Sequence, residues 1–127
     1  CVPQIELAKL YNDGDIFVLP SMYEGLPLTV IESLACGDRV VMTRLDGVTD
    51  WLEDMLPDAD IRYVDLPKMK GVDEAVEEEL PAFEKRLAQV LEDAIWTVKQ
   101  EHRGLVKNRA CDVSRISWQK IAQEVIR

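Results

Sequence analysis

The run Ile16-Phe17-Val18-Leu19 passes through Pro20-Ser21-Met22-Tyr23-Glu24-Gly25-Leu26-Pro27 into an apolar-faced stretch, Leu28 to Cys36. An unbroken apolar run of that length suits a strand buried on both faces of a parallel sheet. The Gly/Pro bend and the helix behind it make a strand–turn–helix unit, and the pattern repeats downstream. The helix stops at Gly37, and Arg39 to Thr43 reads as a second strand. Val48, Trp51, Leu52 and Met55 recur at i, i+3, i+4 and i+7, an amphipathic helix that Pro57 ends. Ile61 to Val64 is a shorter third strand. Upstream, Pro3 opens a helix whose apolar positions include Ile5, Ala8 and Tyr11, and Gly14 closes it. Strands alternating with helices predict an α/β fold: a partial parallel sheet of about three strands flanked by helices.

The second half differs in character. Lys68 to Glu79 is a polar connection rich in acids, and Glu77-Glu78-Glu79 suits a solvated helix start. Pro81 fits the first turn of a long helix with the stripe Phe83, Leu87, Val90, Leu91, Ala94 and Val98, ended by Gly104. A last helix starting near Ser114 or Ser117 has Trp118, Ile121, Ala122 and Val125 on its apolar face. Residues 1–66 therefore form the α/β part and residues 67–127 a mainly helical part of one domain.

Composition narrows the function. The net charge of -9 lacks the basic footprint that nucleic acid or an anionic membrane surface requires. No apolar run approaches the ~18–20 residues of a membrane span. Three cysteines without C-x-x-C spacing and a sole histidine, His102, leave few options for a metal site. Cys36 reads as a small buried residue, and the cysteine usage fits a reduced, cytoplasmic setting.

The strand–bend–helix unit is where chemistry concentrates. The first amides of a helix have no intrahelical partner, and its dipole favours negative charge there. Glu24 and Glu32 flank that anion-binding end and cannot themselves hold phosphate. They suit the hydroxyl-rich ends of a ligand with phosphates in its middle, such as a nucleotide sugar. Spacing alone proves little, because Asp38/Asp46, Asp46/Asp54 and Glu84/Glu92 share it and read as solvated surface acids. The Gly25, Pro27 and Thr29 context separates Glu24/Glu32 from those pairs.

The segment resembles the E-x7-E region of retaining glycosyltransferases of family 4, of GT-B architecture with two Rossmann-like domains. Leu10-Tyr11-Asn12, Val18-Leu19-Pro20-Ser21, Glu32-Ser33-Leu34-Ala35-Cys36-Gly37 and Val40-Val41 fit as well. The resemblance is dense over Ile5 to Thr43 and thin afterwards, apart from Ser117-Trp118 and the closing helix. It implies that Glu32 accepts hydrogen bonds from the ribose hydroxyls. Glu24, the catalytic candidate, faces and orients the transferred sugar. Backbone amides around Gly25 and Leu26 would contact sugar hydroxyls, and those of Leu28 and Thr29 the diphosphate. The implied reaction moves a sugar from a nucleotide-diphosphate donor to a hydroxyl acceptor with retention, without a metal, in polysaccharide or glycoconjugate biosynthesis.

The resemblance also implies that the chain is a fragment of the C-terminal Rossmann-like domain, inactive alone. The first half of that domain, with a basic Arg/Lys pair, and the N-terminal acceptor domain would lie elsewhere in the parent. The open edge of Ile16 to Leu19 would then allow a homodimer of the fragment. Departures from the family pattern fall at Arg39, where proline is common, at Asp46-Gly47-Val48-Thr49-Asp50, where one glycine is lost, and at Asp58-Ala59-Asp60-Ile61, which lacks a glycine. Asp50 is a candidate substitute for the family's glutamate in that loop. The alternative is a non-catalytic α/β interaction or regulatory module of the same fold. A nucleotide-sugar epimerase of like architecture lacks support from any histidine signal.

Overall fold

The computed structural model describes residues 3–25, 27–103 and 113. Its elements alternate: α1 (Gln4–Asp13), β1 (Ile16–Leu19), α2 (Leu28–Ala35), β2 (Arg39–Thr43), α3 (Val48–Met55), β3 (Ile61–Val64) and α4 (Leu80–Arg103). A 3-10 turn over Glu77–Glu79 leads into α4. The strands form one parallel sheet in the order β1-β2-β3, the partial Rossmann-like α/β arrangement.

Strand register separates the two faces. Phe17 pairs with Val40 and Val40 with Ile61, while Leu19 pairs with Met42 and Met42 with Tyr63. This row faces α2 and α3, where Val30, Leu34, Leu52 and Leu56 close a core around Val40 and Met42. The opposite row packs Val41 and Val64 against Phe83 and Ala94 of α4. A strand's side chains alternate between faces, so one sheet serves two helical layers. The stripe anticipated on α4 is the one that packs: Phe83, Ala94 and Val98 are buried, and Leu87, Val90 and Leu91 are half-buried.

One expectation is overturned. β1 is not buried on both faces but is the outer strand of the described sheet, with Val18 37% exposed. The fully buried strand is β2, every residue of which lies inside. The reason is that α4 lies over β2 and β3 and does not reach Val18. On α1, Tyr11 is buried but Ile5 is exposed. The acidic connection carries an antiparallel bridge between Met69 and Ala75 as well as the helical turn at Glu77–Glu79. Gly104, and the helix anticipated around Trp118, Ile121, Ala122 and Val125, lie outside the described residues.

Charge is buried at the amino-terminal end of the strands, away from the β1–α2 turn. Arg39, 4% exposed, pairs with Asp60 ahead of β3 and with Glu101 near the end of α4. Arg62 reaches Thr97 of α4 (2.9 Å). Beside them Asp38 is buried, and its Oδ1 has no hydrogen-bond partner among the described residues. Burial, and then the Asp15 carboxylate, push the Asp38 carboxyl up to about 6.

An acid whose pKa rises on folding binds its proton more tightly when folded. Its contribution to stability therefore falls as pH rises from about 4 through about 6. Asp38→Asn is expected to remove that loss and to stabilise the chain above pH 7 by roughly 3 kcal/mol at most. Urea unfolding of both proteins from pH 4 to 8 reads the difference. A difference that does not change with pH would contradict this account of Asp38.

Candidate functional site

The turn between β1 and α2 and the turn between β2 and α3 lie together at the carboxyl ends of adjacent parallel strands, where open α/β sheets place their ligands. The first turn is tied down at three points. Thr43 Oγ1, at the end of β2, donates to the Ser21 carbonyl. Met22 packs against the core on the α4 side, and Pro27 is buried. Between these anchors Tyr23 and Gly25 are exposed. A Cβ built on Gly25 would meet nothing within 4 Å, so the space over this backbone is open.

Pro27 caps α2 without a side-chain hydrogen bond. Its carbonyl accepts from the amides of Val30 (3.1 Å) and Ile31 (3.3 Å). The amides of Leu28 and Thr29 stand at the open end of the helix, where helix geometry supplies no intrahelical acceptor. Both residues are exposed. Glu32 follows Leu28 by four positions and Thr29 by three, so it shares their face of α2. Helical side chains lean toward the N-terminus, so the Glu32 side chain leans toward that end of α2.

The carboxylates are both half-buried. Glu24 Oε1 accepts a hydrogen bond from Ser21 Oγ at 2.8 Å. Glu32 stands beside the buried Tyr11, whose phenol pKa is raised by burial first, then by the Glu32 and Cys36 charges and a hydrogen bond to Glu32. Cys36 is half-buried rather than fully inside. Burial, then Asp38 and Glu32, raise its thiol pKa, the opposite of what a reactive thiolate needs.

The second turn carries Gly47 at φ 78, a left-handed conformation that suits glycine. Leu45 N donates to Thr49 Oγ1 (3.0 Å), and Thr49 N to the Leu45 carbonyl (2.9 Å), closing this turn onto α3. Asp50 lies exposed in the first turn of α3. Of the residues anticipated from sequence, Glu24, Gly25, Leu28, Thr29 and Glu32 thus fall around one strand–turn–helix corner. Leu26 lies outside the described residues. Ser21 as the partner of Glu24, Tyr11 as the partner of Glu32 and Thr43 as the anchor of the Ser21 carbonyl are not anticipated from sequence. Only Ser21, three positions before Glu24, left a local trace in the sequence.

A cavity of about 330 Å³ opens elsewhere, between α3 and β3, lined by Leu52, Glu53, Leu56, Pro57, Ala59, Ile61 and Tyr63. It shares no residue with the corner. Among the described residues no group of three or more His, Cys, Asp or Glu side chains could hold a metal ion. No helix among them is long and apolar enough to cross a membrane.

Comparison with known proteins adds the family. The chain is 27% identical over 125 residues to O-antigen chain mannosyltransferase B of Escherichia coli, covering 98% of this chain and 27% of that protein. It is 23% identical over 125 residues to alpha-maltose-1-phosphate synthase of Mycolicibacterium smegmatis, covering 98% of the chain and 29% of that protein. A shorter match, 40% identical over 45 residues, links 35% of the chain to 12% of an N,N'-diacetylbacillosaminyl-diphospho-undecaprenol alpha-1,3-N-acetylgalactosaminyltransferase of Campylobacter jejuni. The chain therefore spans between a quarter and a third of the length of the two relatives it matches end to end. No solved structure matches it. Residues 2–93 match the family described as Glycosyl transferases group 1, and the chain belongs to that family.

Proposed function

We propose that this chain holds the nucleotide-sugar donor of a retaining glycosyltransferase of family 4. The reaction in this reading moves a sugar from a nucleotide diphosphate to a hydroxyl acceptor. One observation carries the proposal: the free start of α2, with the Leu28 and Thr29 amides, lies between Glu24 on the preceding turn and Glu32 one helical turn on. Amides and the helix dipole favour the diphosphate, and the carboxylates accept from hydroxyl groups at either end of the donor. Glu32 takes the ribose, and Glu24 faces and orients the sugar. Backbone donors at a helix start need no reorganisation as negative charge grows on the departing diphosphate, so they stabilise it electrostatically without a metal.

The relatives' names favour sugar transfer, with mannosyl and N-acetylgalactosaminyl transfer among them. The acceptor-binding domain, and a basic clamp for the phosphates, belong in this reading to the rest of a longer protein. The chain alone is then a weak binder, with a dissociation constant of about 1 mM, or about -4 kcal/mol. Amide NMR titration with UDP, GDP and ADP tests this directly. The expected result is a selective perturbation of residues 24–32 by at least one of the three. Shifts confined to the acidic loop of residues 68–79 and to α4, or no shifts at all, would contradict it and favour a non-catalytic module.

A further inference from the structure

Glu24 is the one of the two carboxylates that lies outside a helix. It sits on a turn between the exposed residues Tyr23 and Gly25. Its side chain has three rotatable bonds, so a hydrogen bond to the carboxylate narrows where it points. Among the described residues one such bond is made: Ser21 Oγ donates to Oε1 at 2.8 Å, leaving Oε2 for a ligand. Ser21 is fixed in turn, because its carbonyl accepts from Thr43 Oγ1. Thr43 is fully buried as the last residue of β2, the strand covered on both faces. A path of two hydrogen bonds thus runs from the fully buried strand to the carboxylate on the turn.

We propose that Ser21 and Thr43 are positioning residues that hold the Glu24 carboxylate toward the transferred sugar. The inference rests on the reading of Glu24 as the sugar-facing group. Thr43 fixes the Ser21 main chain, and the Ser21 hydroxyl fixes the carboxylate. Neither needs to touch the donor. Their loss therefore loosens contact with the sugar while the diphosphate contacts at Leu28 and Thr29 and the ribose contact at Glu32 persist. Ser21→Thr and Thr43→Ser keep the hydroxyls and restore the path.

The test compares UDP-glucose, GDP-mannose and ADP-glucose with UDP, GDP and ADP, each titrated against the chain. Ser21→Ala is expected to weaken the best-bound nucleotide sugar by roughly five- to tenfold, less than outright loss of a charge-assisted hydrogen bond to the sugar, because the Glu24 carboxylate itself remains. The matching nucleoside diphosphate should change by less than about twofold. Thr43→Val should give a smaller loss of the same kind, and Ser21→Thr should recover wild-type binding. In a Glu24→Ala background, which removes the acceptor, Ser21→Ala should cost nothing more.

A ligand-free readout accompanies the titrations. Three-bond couplings should report one Glu24 χ1 rotamer in the wild type and in Ser21→Thr, but averaging in Ser21→Ala. An equal loss for sugar-bearing and sugar-free nucleotides, or an unchanged rotamer in Ser21→Ala, would overturn the positioning role. Glu24→Gln weakening the nucleotide sugar while Ser21→Ala has no effect would overturn that role alone. Glu24→Gln leaving nucleotide-sugar affinity unchanged would overturn the reading of Glu24 on which it rests.

Discussion

Replacing Arg39 with alanine is expected to destabilise the fold by about 3–5 kcal/mol, the usual cost of breaking a buried ion pair from one side. Arg39 is 4% exposed, and its two partners come from different parts of the chain: Asp60 just ahead of β3 and Glu101 near the end of α4. Its removal leaves two unneutralised carboxylates beside the space it vacates, with Asp38 buried next in sequence. Because Asp60 and Glu101 are 34% and 26% exposed, water reaches both. Neutralising either one alone, as Asp60→Asn or Glu101→Gln, should therefore cost less than losing Arg39. Arg39→Met should cost less than alanine as well, since its stem fills the space without a charge. Urea unfolding at pH 7 measures all four. A loss under 1 kcal/mol for Arg39→Ala would show that the guanidinium is dispensable to the join between α4 and the sheet.

The second large effect concerns chemistry. In the longer glycosyltransferase that the proposed function implies, Glu32→Ala should weaken donor binding, raising KM with kcat nearly unchanged. Glu24→Ala should instead lower kcat, because a loosely held sugar reaches the reactive geometry less often. Each removes a hydrogen bond involving a charged group, worth roughly 1.5–3 kcal/mol, or about one to two decades. Steady-state kinetics with the natural donor separate the two. Wild-type constants for both variants would make them ordinary surface acids.

The parts of the fold legible in sequence are those whose cause is local. The bounds of β2, α3 and β3 coincide with the anticipated segments, because a continuous apolar run, an i, i+3, i+4, i+7 stripe and a closing proline each act within a few residues. Burial of β1 was misread because an apolar run says what can be covered, not whether a helix arrives to cover it. α4 spans β2 and β3, leaving Val18 at the margin.

The Arg39 network was invisible for a related reason. Its partners lie 21 and 62 positions away, and Arg39 drew notice only as a departure from a common proline. At the corner, Glu24, Leu28, Thr29 and Glu32 could be named because strand, bend and helix start are consecutive in the chain. Thr43, 22 positions beyond Ser21, could not, since a buried threonine ending a strand carries no sign of the carbonyl it will meet.

The account stands most directly on Glu32 as the ribose acceptor, and one comparison isolates that contact. Whichever of UDP, GDP or ADP perturbs residues 24–32 most strongly is titrated beside its 2′,3′-dideoxy analogue, against the wild type and Glu32→Ala. If the carboxylate accepts from the ribose hydroxyls, the wild type should prefer the ribonucleotide by roughly tenfold or more. In Glu32→Ala that preference should shrink to within about twofold, while the diphosphate still perturbs Leu28 and Thr29. The same preference in both proteins would mean that the ribose hydroxyls are read elsewhere, and the placement of the donor along α2 would be wrong.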